Sequence, residues 1–209
     1  SRLQREDGSF AWWKGMDGSP CMTMSVVETL VRLNKLIGEQ KATSNMVEAG
    51  FAYMDKRMAE EVKDIKKAEV KGEKMRPSEL AVQYMYSVSI ADRKLSASAK
   101  RNFDFLVNRL SEKNTEFTIY GKAVSALVLA KNGYADKAVD LLESIRQYTV
   151  YKEEMGRYFD TPKALYSWFD YRIPSQVAAI EALQTLQPSD RQTISEMQRW
   201  LLQEKRTQA

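Results

Sequence analysis

The sequence predicts an all-α protein, and three observations support that prediction. Glycine and proline are scarce, with 9 and 5 in 209 residues, whereas an all-β protein of this length would need more turn residues. Apolar residues recur at helical spacing through most of the chain. Hydrophobic residues make up 44% of the composition, which is enough to form a core and argues against global disorder.

The first helix is predicted over residues 22–37 and the second over 43–71. Ser19 or Thr23 suits the start of the first helix, because a hydroxyl oxygen accepts the free N–H groups there. Gly38 suits its end, because glycine adopts the left-handed conformation that often ends a helix. The second helix has an apolar stripe followed by a highly charged end, and the stripe consists of Met46, Phe51, Met54, Met58, Val62 and Ile65.

Six further helices follow, and proline or serine marks the start of four of them. Pro77, Ser96, Pro174 and Pro188 stand at first-turn or capping positions, where these residue types are well tolerated. The predicted ranges are 77–91, 96–112, 117–131, 135–149, 174–186 and 188–205. The segment 150–171 between the sixth and seventh helices is predicted to be a long loop that is rich in aromatic residues.

The eight helices form four pairs, and short connections within a pair predict antiparallel hairpins. The first helix of a pair is the more apolar and the second the more charged, as residues 123–129 and 140–143 show. That asymmetry predicts an inner and an outer layer of helices, as in a partial or complete α/α toroid. Residues 1–209 are expected to be a single toroid domain or a fragment of one, cut from a much larger protein.

Composition and residue usage argue against several classes of function. The sequence has no histidine, which excludes Ser-His-Asp triads, Cys–His pairs and His-ligated metal sites within it. The single cysteine, Cys21, is expected to be a buried or half-buried, unreactive thiol. A net charge of +4 is small for a nucleic-acid binder, and no apolar run is long enough to span a membrane. No catalytic residue, cofactor or metal site is predicted.

Two loops of the sequence look alike, which indicates an internal repeat. The first contains Gly8 followed by Phe10, Trp12 and Trp13, and the second contains Gly156 followed by Tyr158, Phe159 and Trp168. Both lead into an apolar helix. The aromatic side chains are expected to fold back over helix ends, with Trp12 or Trp13 and Trp168 partly buried. Both loops are expected on one rim of the toroid, with Tyr158, Phe159 and Tyr171 exposed as a possible partner-contact face.

The two loop regions and the chain end also resemble the helical thioester-type domain of bacterial alpha-2-macroglobulins. The resemblance is carried by Thr23 and by segments 3–15, 28–30, 166–168, 176–183, 200–202 and 205–208. It implies a toroid like that of terpenoid cyclases and protein prenyltransferases. It also implies a protein of the bacterial envelope, in the periplasm or on the outer side, that traps proteases. Proteases and neighbouring domains of the longer chain are the implied partners.

Thioester-bearing members of that family carry a Cys-Gly-Glu-Gln segment, in which the Cys sulfur is joined to the Gln side chain. This chain has Ile37-Gly38-Glu39-Gln40 instead. Isoleucine has no sulfur, so no thioester is expected within these residues. The segment is expected to be an ordinary helix end and loop, and the domain is expected to be non-catalytic.

Two other functions remain open. A toroid enzyme acting on glycans would use a pair of carboxyl groups, and Asp160 with Glu153 or Glu154 is the candidate pair. Turn and capping roles explain these acidic residues equally well, as they do for Asp7, Asp17 and Asp170. The other possibility is a plain protein-interaction scaffold with no inhibitory role.

Overall fold

The structure, a computed structural model, describes residues 3–160 and 172–208, and these are mostly helical. They contain eight helices and one small antiparallel sheet: α1 (Pro20–Ile37), α2 (Lys41–Val70), α3 (Glu79–Ile90), α4 (Ala97–Glu112), α5 (Ile119–Lys131), α6 (Ala135–Gln147), β1 (Val150–Lys152), β2 (Gly156–Tyr158), α7 (Arg172–Leu186) and α8 (Arg191–Gln208). The all-α prediction is confirmed. Every predicted helix is present, with ends that differ by no more than three residues.

Local capping explains where several of these helices begin and end. Ser19 caps α1, because its Oγ accepts a hydrogen bond from the Met22 N–H at 3.2 Å. Ser78, Ser96 and Thr118 cap α3, α4 and α5 through the same kind of bond. Gly38 follows the last residue of α1 with a φ of 87°, so the predicted helix end at this glycine is confirmed.

The segment after α6 differs from the sequence prediction. Residues 150–158 form a short hairpin instead of an irregular loop, with β1 paired to β2 in the register Val150–Tyr158, Tyr151–Arg157 and Lys152–Gly156. Residues 161–171, which include Trp168 and Tyr171, lie outside the described residues.

The chain divides into two compact units, Ser1–Lys113 and Asn114–Ala209. In the first unit α1 packs against both α2 and α3, and α2 also packs against α4. The first helices of the two pairs, α1 and α3, therefore contact each other, and so do the second helices, α2 and α4. The largest fully buried side chains of this unit come from all four of its helices: Met24, Phe51, Met54, Met58, Ile65, Tyr84, Met85, Leu106 and Leu110.

In the second unit α5 is the central helix and packs against both α6 and α7, while α8 packs against α7 and β2. Most of α5 is buried, whereas α6 buries only Ala138, Leu141, Leu142 and Ile145. The predicted contrast between an apolar first helix and a charged second helix is therefore present in this unit. No helix within the described residues is both long and apolar enough to cross a membrane.

Candidate functional site

The first glycine–aromatic loop, residues 4–19, is fastened to the helix pair that follows it. Isolated β-bridges join Phe10 to Gln4 and to Ser19, so the loop folds back on itself. The Phe10 N–H donates to Thr23 Oγ1 of α1 at 2.8 Å, and the ring of Phe10 is buried. Gly8 has a φ of 89°, and a Cβ at this position would collide with the backbone of Ala49 in α2.

One side-chain amide completes this attachment. Gln4 Nε2 donates to Gly8 O at 3.1 Å and to Met46 O of α2 at 2.9 Å. Since Met46 is in the first turns of α2, this one amide joins the loop to the second helix of the pair. The bond to Gly8 O gives a donor to a carbonyl group of the tightly packed loop, and the bond to Met46 O joins the same side chain to α2.

The second glycine–aromatic loop, residues 150–159, is fastened to α7 and α8 by similar contacts, although its glutamine comes from α7 and not from the loop itself. Gly156 has a φ of 95°, and a Cβ there would lie 2.5 Å from Glu196 O and 3.0 Å from Trp200 N of α8. Gln176 of α7 is buried, and its Nε2 donates to Arg157 O at 2.8 Å and to Met197 O of α8 at 3.1 Å. The Tyr158 ring stacks on the Trp200 indole, with centroids 6.2 Å apart.

Each unit thus contains the same three parts. A left-handed glycine lies against the backbone of the second helix, and a buried aromatic side chain follows it. A glutamine amide then joins the loop to that helix. The sequence pattern identified the glycine and the aromatics of both loops. It did not reveal the anchoring role of Gln4 and Gln176, although a glutamine within the apolar stretch 176–183 was a usable signal.

The exposure of the aromatic side chains differs from the prediction. Tyr158 and Phe159 are buried, at 7% and 3% exposure, so the prediction that they form an exposed contact face is wrong. The physical reason is that β2 of the hairpin packs against α8, where the Tyr158 ring stacks on the Trp200 indole. Trp12 and Trp13 are 55% and 62% exposed, so the prediction that one of them covers a helix end is also wrong. Tyr171, the third predicted contact residue, lies outside the described residues.

The exposed tryptophans lie on a turn held by hydrogen bonds. Met16 N donates to Trp13 O at 3.2 Å, and Gly15 within the turn has a φ of 92°. The guanidinium of Arg5 donates to Met16 O, which joins the start of the loop to this turn. We call residues 12–16 the tryptophan turn. It presents two adjacent indole groups to solvent on a backbone whose shape is fixed.

A cluster of arginines holds the second loop on α8. Arg157 Nε donates to Glu196 Oε2 at 2.7 Å, and Arg157 Nη1 donates to Thr149 Oγ1 at 3.0 Å. Arg199 donates to Glu153 O at 2.9 Å. Both guanidinium groups lie near the Tyr151 ring, at 5.5 and 5.7 Å from its centroid. These contacts give the cluster a structural role in attaching the hairpin.

The segment Ile37-Gly38-Glu39-Gln40 is exposed and connects α1 to α2. Ile37 is the last residue of α1, and Gln40 occupies the N-cap of α2 without a side-chain cap bond. Glu39 Oε1 accepts a hydrogen bond from Ser44 Oγ at 2.8 Å. The prediction that this segment is a helix end followed by a loop is confirmed.

The other residues considered from sequence are at the surface where the structure describes them, and Asp170 lies outside the described residues. Cys21 is exposed, so the prediction of a buried or half-buried thiol is wrong. Glu153, Glu154 and Asp160 are exposed as well. Asp7 accepts hydrogen bonds from Ser9 Oγ at 2.6 Å and from Ser9 N at 3.0 Å, and these bonds hold its pKa below the usual value. Asp7 therefore has the turn-forming role expected of it.

No protein-family model matches the sequence, and a search of curated proteins finds no significant match. Within residues 3–160 and 172–208, no group of three or more Cys, Asp and Glu side chains is placed to hold a metal ion. The resemblance described above is therefore the basis on which a family can be proposed.

Proposed function

We propose that the chain is a non-catalytic helical part of a bacterial alpha-2-macroglobulin-like envelope protein. In this proposal it contributes to protease trapping through surface contact, without a thioester of its own. The supporting observation is the repeated attachment of a glycine–aromatic loop to a helix pair. The residues that carry the resemblance, Gln4 to Trp13 and Gln176 to Leu183, include both glutamine anchors and the first glycine of that attachment.

The packing within each unit fits the toroid that the proposal requires. In the first unit, α1 contacts α3 and α2 contacts α4, which is the layering expected when successive hairpins stack side by side. In the second unit, the first helices α5 and α7 contact each other. A toroid places its apolar first helices inside, and α5 has the burial expected of such a helix.

The tryptophan turn is the contact surface that we assign to the proposed function. Adjacent exposed indole groups are unusual on a solvated surface, and tryptophan is enriched at protein interfaces. The partner in this proposal is a neighbouring domain of the longer chain. Such a contact would keep the helical part in the orientation from which a trapped protease is enclosed.

The test is a comparison of substrate sizes. The full-length parent protein is incubated with a protease, and cleavage of a small chromogenic peptide and of a large protein substrate is measured. A trap leaves the cleavage of the small substrate largely intact while it slows cleavage of the large one. Equal inhibition of both would indicate an active-site inhibitor, and no inhibition of either would indicate a scaffold. Both of these results would contradict the proposal.

A matched pair of variants tests the tryptophan turn. The double variant Trp12→Ser and Trp13→Ser in the parent is expected to keep its fold, because both side chains are exposed, but to lose part of the protection of large substrates. The control is Leu202→Ser, which removes an exposed apolar side chain of α8 that is 61% exposed. If the double variant protects large substrates as well as the control does, the tryptophan turn is not the contact surface.

A further inference from the structure

The first helix of the first unit, α1, has apolar residues on two sides. One side, which includes Met24, Val27 and Val31, is buried in the core. We call the other side, which is at the surface, the α1 stripe: Met22, Val26, Leu30, Leu33, Leu36 and Ile37. Leu33, Leu36 and Ile37 are 40%, 84% and 60% exposed, and the other three are partly exposed. A surface helix usually carries polar or charged residues on its outer side, so α1 departs from the usual pattern.

The α1 stripe carries no charge. Since each residue turns the helix by about 100°, the stripe occupies an arc of about 120°, and Thr29 is the one other residue of α1 within that arc. The charged residues of α1, which are Glu28, Arg32 and Lys35, all lie outside it. The exposed side of α6, by contrast, carries Asp136, Lys137, Asp140 and Glu143. A continuous uncharged surface of this kind is typical of a surface that a partner covers.

The contacts of α1 show which way the stripe points. Glu28 accepts a hydrogen bond from Gln83 of α3 at 3.1 Å. Arg32 donates to the Tyr86 hydroxyl of α3, also at 3.1 Å. Asn34 accepts a hydrogen bond from α2 at 3.0 Å. The centre of the stripe lies about 130° around the helix from the side that contacts α3 and about 90° from Asn34, so the stripe points away from α3.

Helix α3 shows how a first helix is buried when it has neighbours around it. Residues 84–88 of α3 are all buried, and five consecutive residues go once around a helix. The α1 stripe is as apolar as the buried sides of α3, but it is exposed. In a stack of hairpins, a helix at the end of the stack keeps an open apolar side until a further unit covers it. The exposed stripe therefore has the character of an open end of the helix layer.

The spacing of the stripe fits another helix. Its members are alternately four and three residues apart along the series Met22, Val26, Thr29, Leu33 and Leu36. Helices that pack side by side at a small angle use this spacing, because it keeps the apolar residues on the side that faces the neighbour. A helix therefore matches the stripe better than an extended segment does.

The packing within the units indicates where that helix comes from. In both units a first helix contacts the first helix of another hairpin in the same chain, α1 with α3 and α5 with α7. Successive hairpins of one chain are usually neighbours in space. The helix that continues this layer on the open side of α1 is thus expected in the same polypeptide.

We infer that the α1 stripe is covered by an apolar helix from the part of the same polypeptide that lies outside residues 1–209. The inference rests on the longer polypeptide of the proposed function. A helix with charged side chains against the stripe would lose their hydration without gaining a partner, so the covering helix is uncharged along this side. The stripe shares no residue with the tryptophan turn and is a separate contact surface.

Cysteine labelling tests whether the stripe is covered. Leu33→Cys is made in a Cys21→Ser background, both in residues 1–209 and in the full-length parent. Mass spectrometry of the peptide that contains the new thiol gives its rate of reaction with a maleimide. The matched control is Val139→Cys on the charged outer side of α6, where the side chain is 51% exposed.

Leu33→Cys is expected to react at least about tenfold more slowly in the parent than in residues 1–209, because a covered thiol reacts only when its cover opens. The rate for the control is expected to differ by less than about threefold between the two proteins. Equal rates for Leu33→Cys in the two proteins would show that the stripe is open in the parent, and the inference would be wrong.

Photo-crosslinking identifies what covers the stripe. Leu36 is replaced by p-benzoylphenylalanine in the parent, and crosslinked peptides are sequenced by mass spectrometry. Parent labelled with a heavy nitrogen isotope is mixed with unlabelled parent, which separates crosslinks within one molecule from crosslinks between two. The expected product joins position 36 to a residue of the same molecule outside residues 1–209. A crosslink to a second molecule, or one confined to residues 1–209, would overturn the inference.

Neither measurement involves a protease, so the two proposals can fail separately. A parent that protects Leu33→Cys but does not trap proteases would contradict the proposed function and leave the covered stripe in place. A parent that traps proteases while Leu33→Cys stays fully reactive would contradict the inference alone.

Discussion

Gly8 and Gly156 are required for two separate physical reasons. Each has a positive φ, which a side chain makes unfavourable by roughly 1–2 kcal/mol. Each also lies directly against the backbone of a neighbouring helix, where no Cβ fits. Gly133 has a similar φ of 91°, but a Cβ there would have no heavy atom within 4 Å. Alanine substitutions at the three glycines can therefore separate the free-energy cost of the backbone conformation from the cost of the contact with a helix.

We expect Gly156→Ala to destabilise the protein by about 2–5 kcal/mol, because an overpacking cost of roughly 1–3 kcal/mol is added to the conformational cost. Gly8→Ala is expected to behave similarly. Gly133→Ala should cost only about 1–2 kcal/mol. Urea unfolding measured by circular dichroism gives the three values. Equal losses for Gly156→Ala and Gly133→Ala would show that the contact with α8 does not matter.

Asp190 contributes a pH-dependent part of the stability. Burial by itself would raise its pKa, but hydrogen bonds from Thr193 and Arg146 and the charge of Arg146 hold the pKa below the usual 3.8. Its carboxylate accepts from Arg146 Nε at 2.9 Å and from Thr193 N at 3.3 Å. Because the folded pKa is the lower one, this contribution is present above pH 3.8 and is lost as the pH falls through the folded pKa.

We expect Asp190→Asn to lower the free energy of unfolding by about 0.5–1 kcal/mol at pH 7, since asparagine keeps the helix cap but loses the ion pair. The difference between wild type and variant should disappear as the pH is lowered below the folded pKa. Urea unfolding of both proteins across this pH range measures it. A difference that stays constant with pH would mean that the charge of Asp190 is not the cause.

Residue burial was the property that the sequence predicted least well at the candidate site. The aromatic character of both loops was visible, but which rings are buried depends on contacts with distant residues. Tyr158 is buried because Trp200, far along the chain, lies beside it. Trp12 is exposed next to a hydrogen-bonded turn at Trp13–Met16. The contact between Tyr158 and Trp200 has no local signal in the sequence, and the glycine of the turn does not by itself show which rings are exposed.

Helices were predicted well because their signals are local. Apolar spacing indicates where a helix lies, and the capping residues Ser19, Ser78, Ser96 and Thr118 stand at the starts of four of them. The β-hairpin was missed because its strands have three residues each and lack a regular alternation. Its stability depends on the attachment of Gly156 and Arg157 to α8, which the sequence could not show.

We expect Gln176→Met to loosen that attachment. The substitution leaves the carbonyl group of Arg157 without the donor that Gln176 provides and removes a second bond to Met197 O, whose helical position keeps its own backbone donor. The loss should cost about 1–3 kcal/mol. Hydrogen exchange of the amides in residues 150–158 should become faster before the rest of the second unit is affected. The matched control is Gln184→Met, which changes an exposed glutamine of the same helix and should cost less than about 0.5 kcal/mol. Unchanged exchange in the hairpin would refute the anchoring role of Gln176.

Each of the two compact units has its own buried core and its own copy of the fastened loop. The layered packing that suggests a toroid is present inside the units. The closure of those layers into one toroid, and the position of both loops on one rim, stay predictions. The helices and the repeated loop could be predicted from the sequence, because both appear as recurring patterns of residues. A partner-contact surface has no such recurring pattern, and two of the three residues predicted to form it, Tyr158 and Phe159, are buried.

The central claim is that these residues act through contact and not through acyl transfer. Mass spectrometry of the full-length protein after treatment with methylamine tests this claim most directly, because methylamine opens a thioester and leaves an adduct on the glutamine. The account predicts no adduct at Gln40, since Ile37 provides no sulfur and the segment is an exposed helix connection. A methylamine adduct at Gln40 would contradict it.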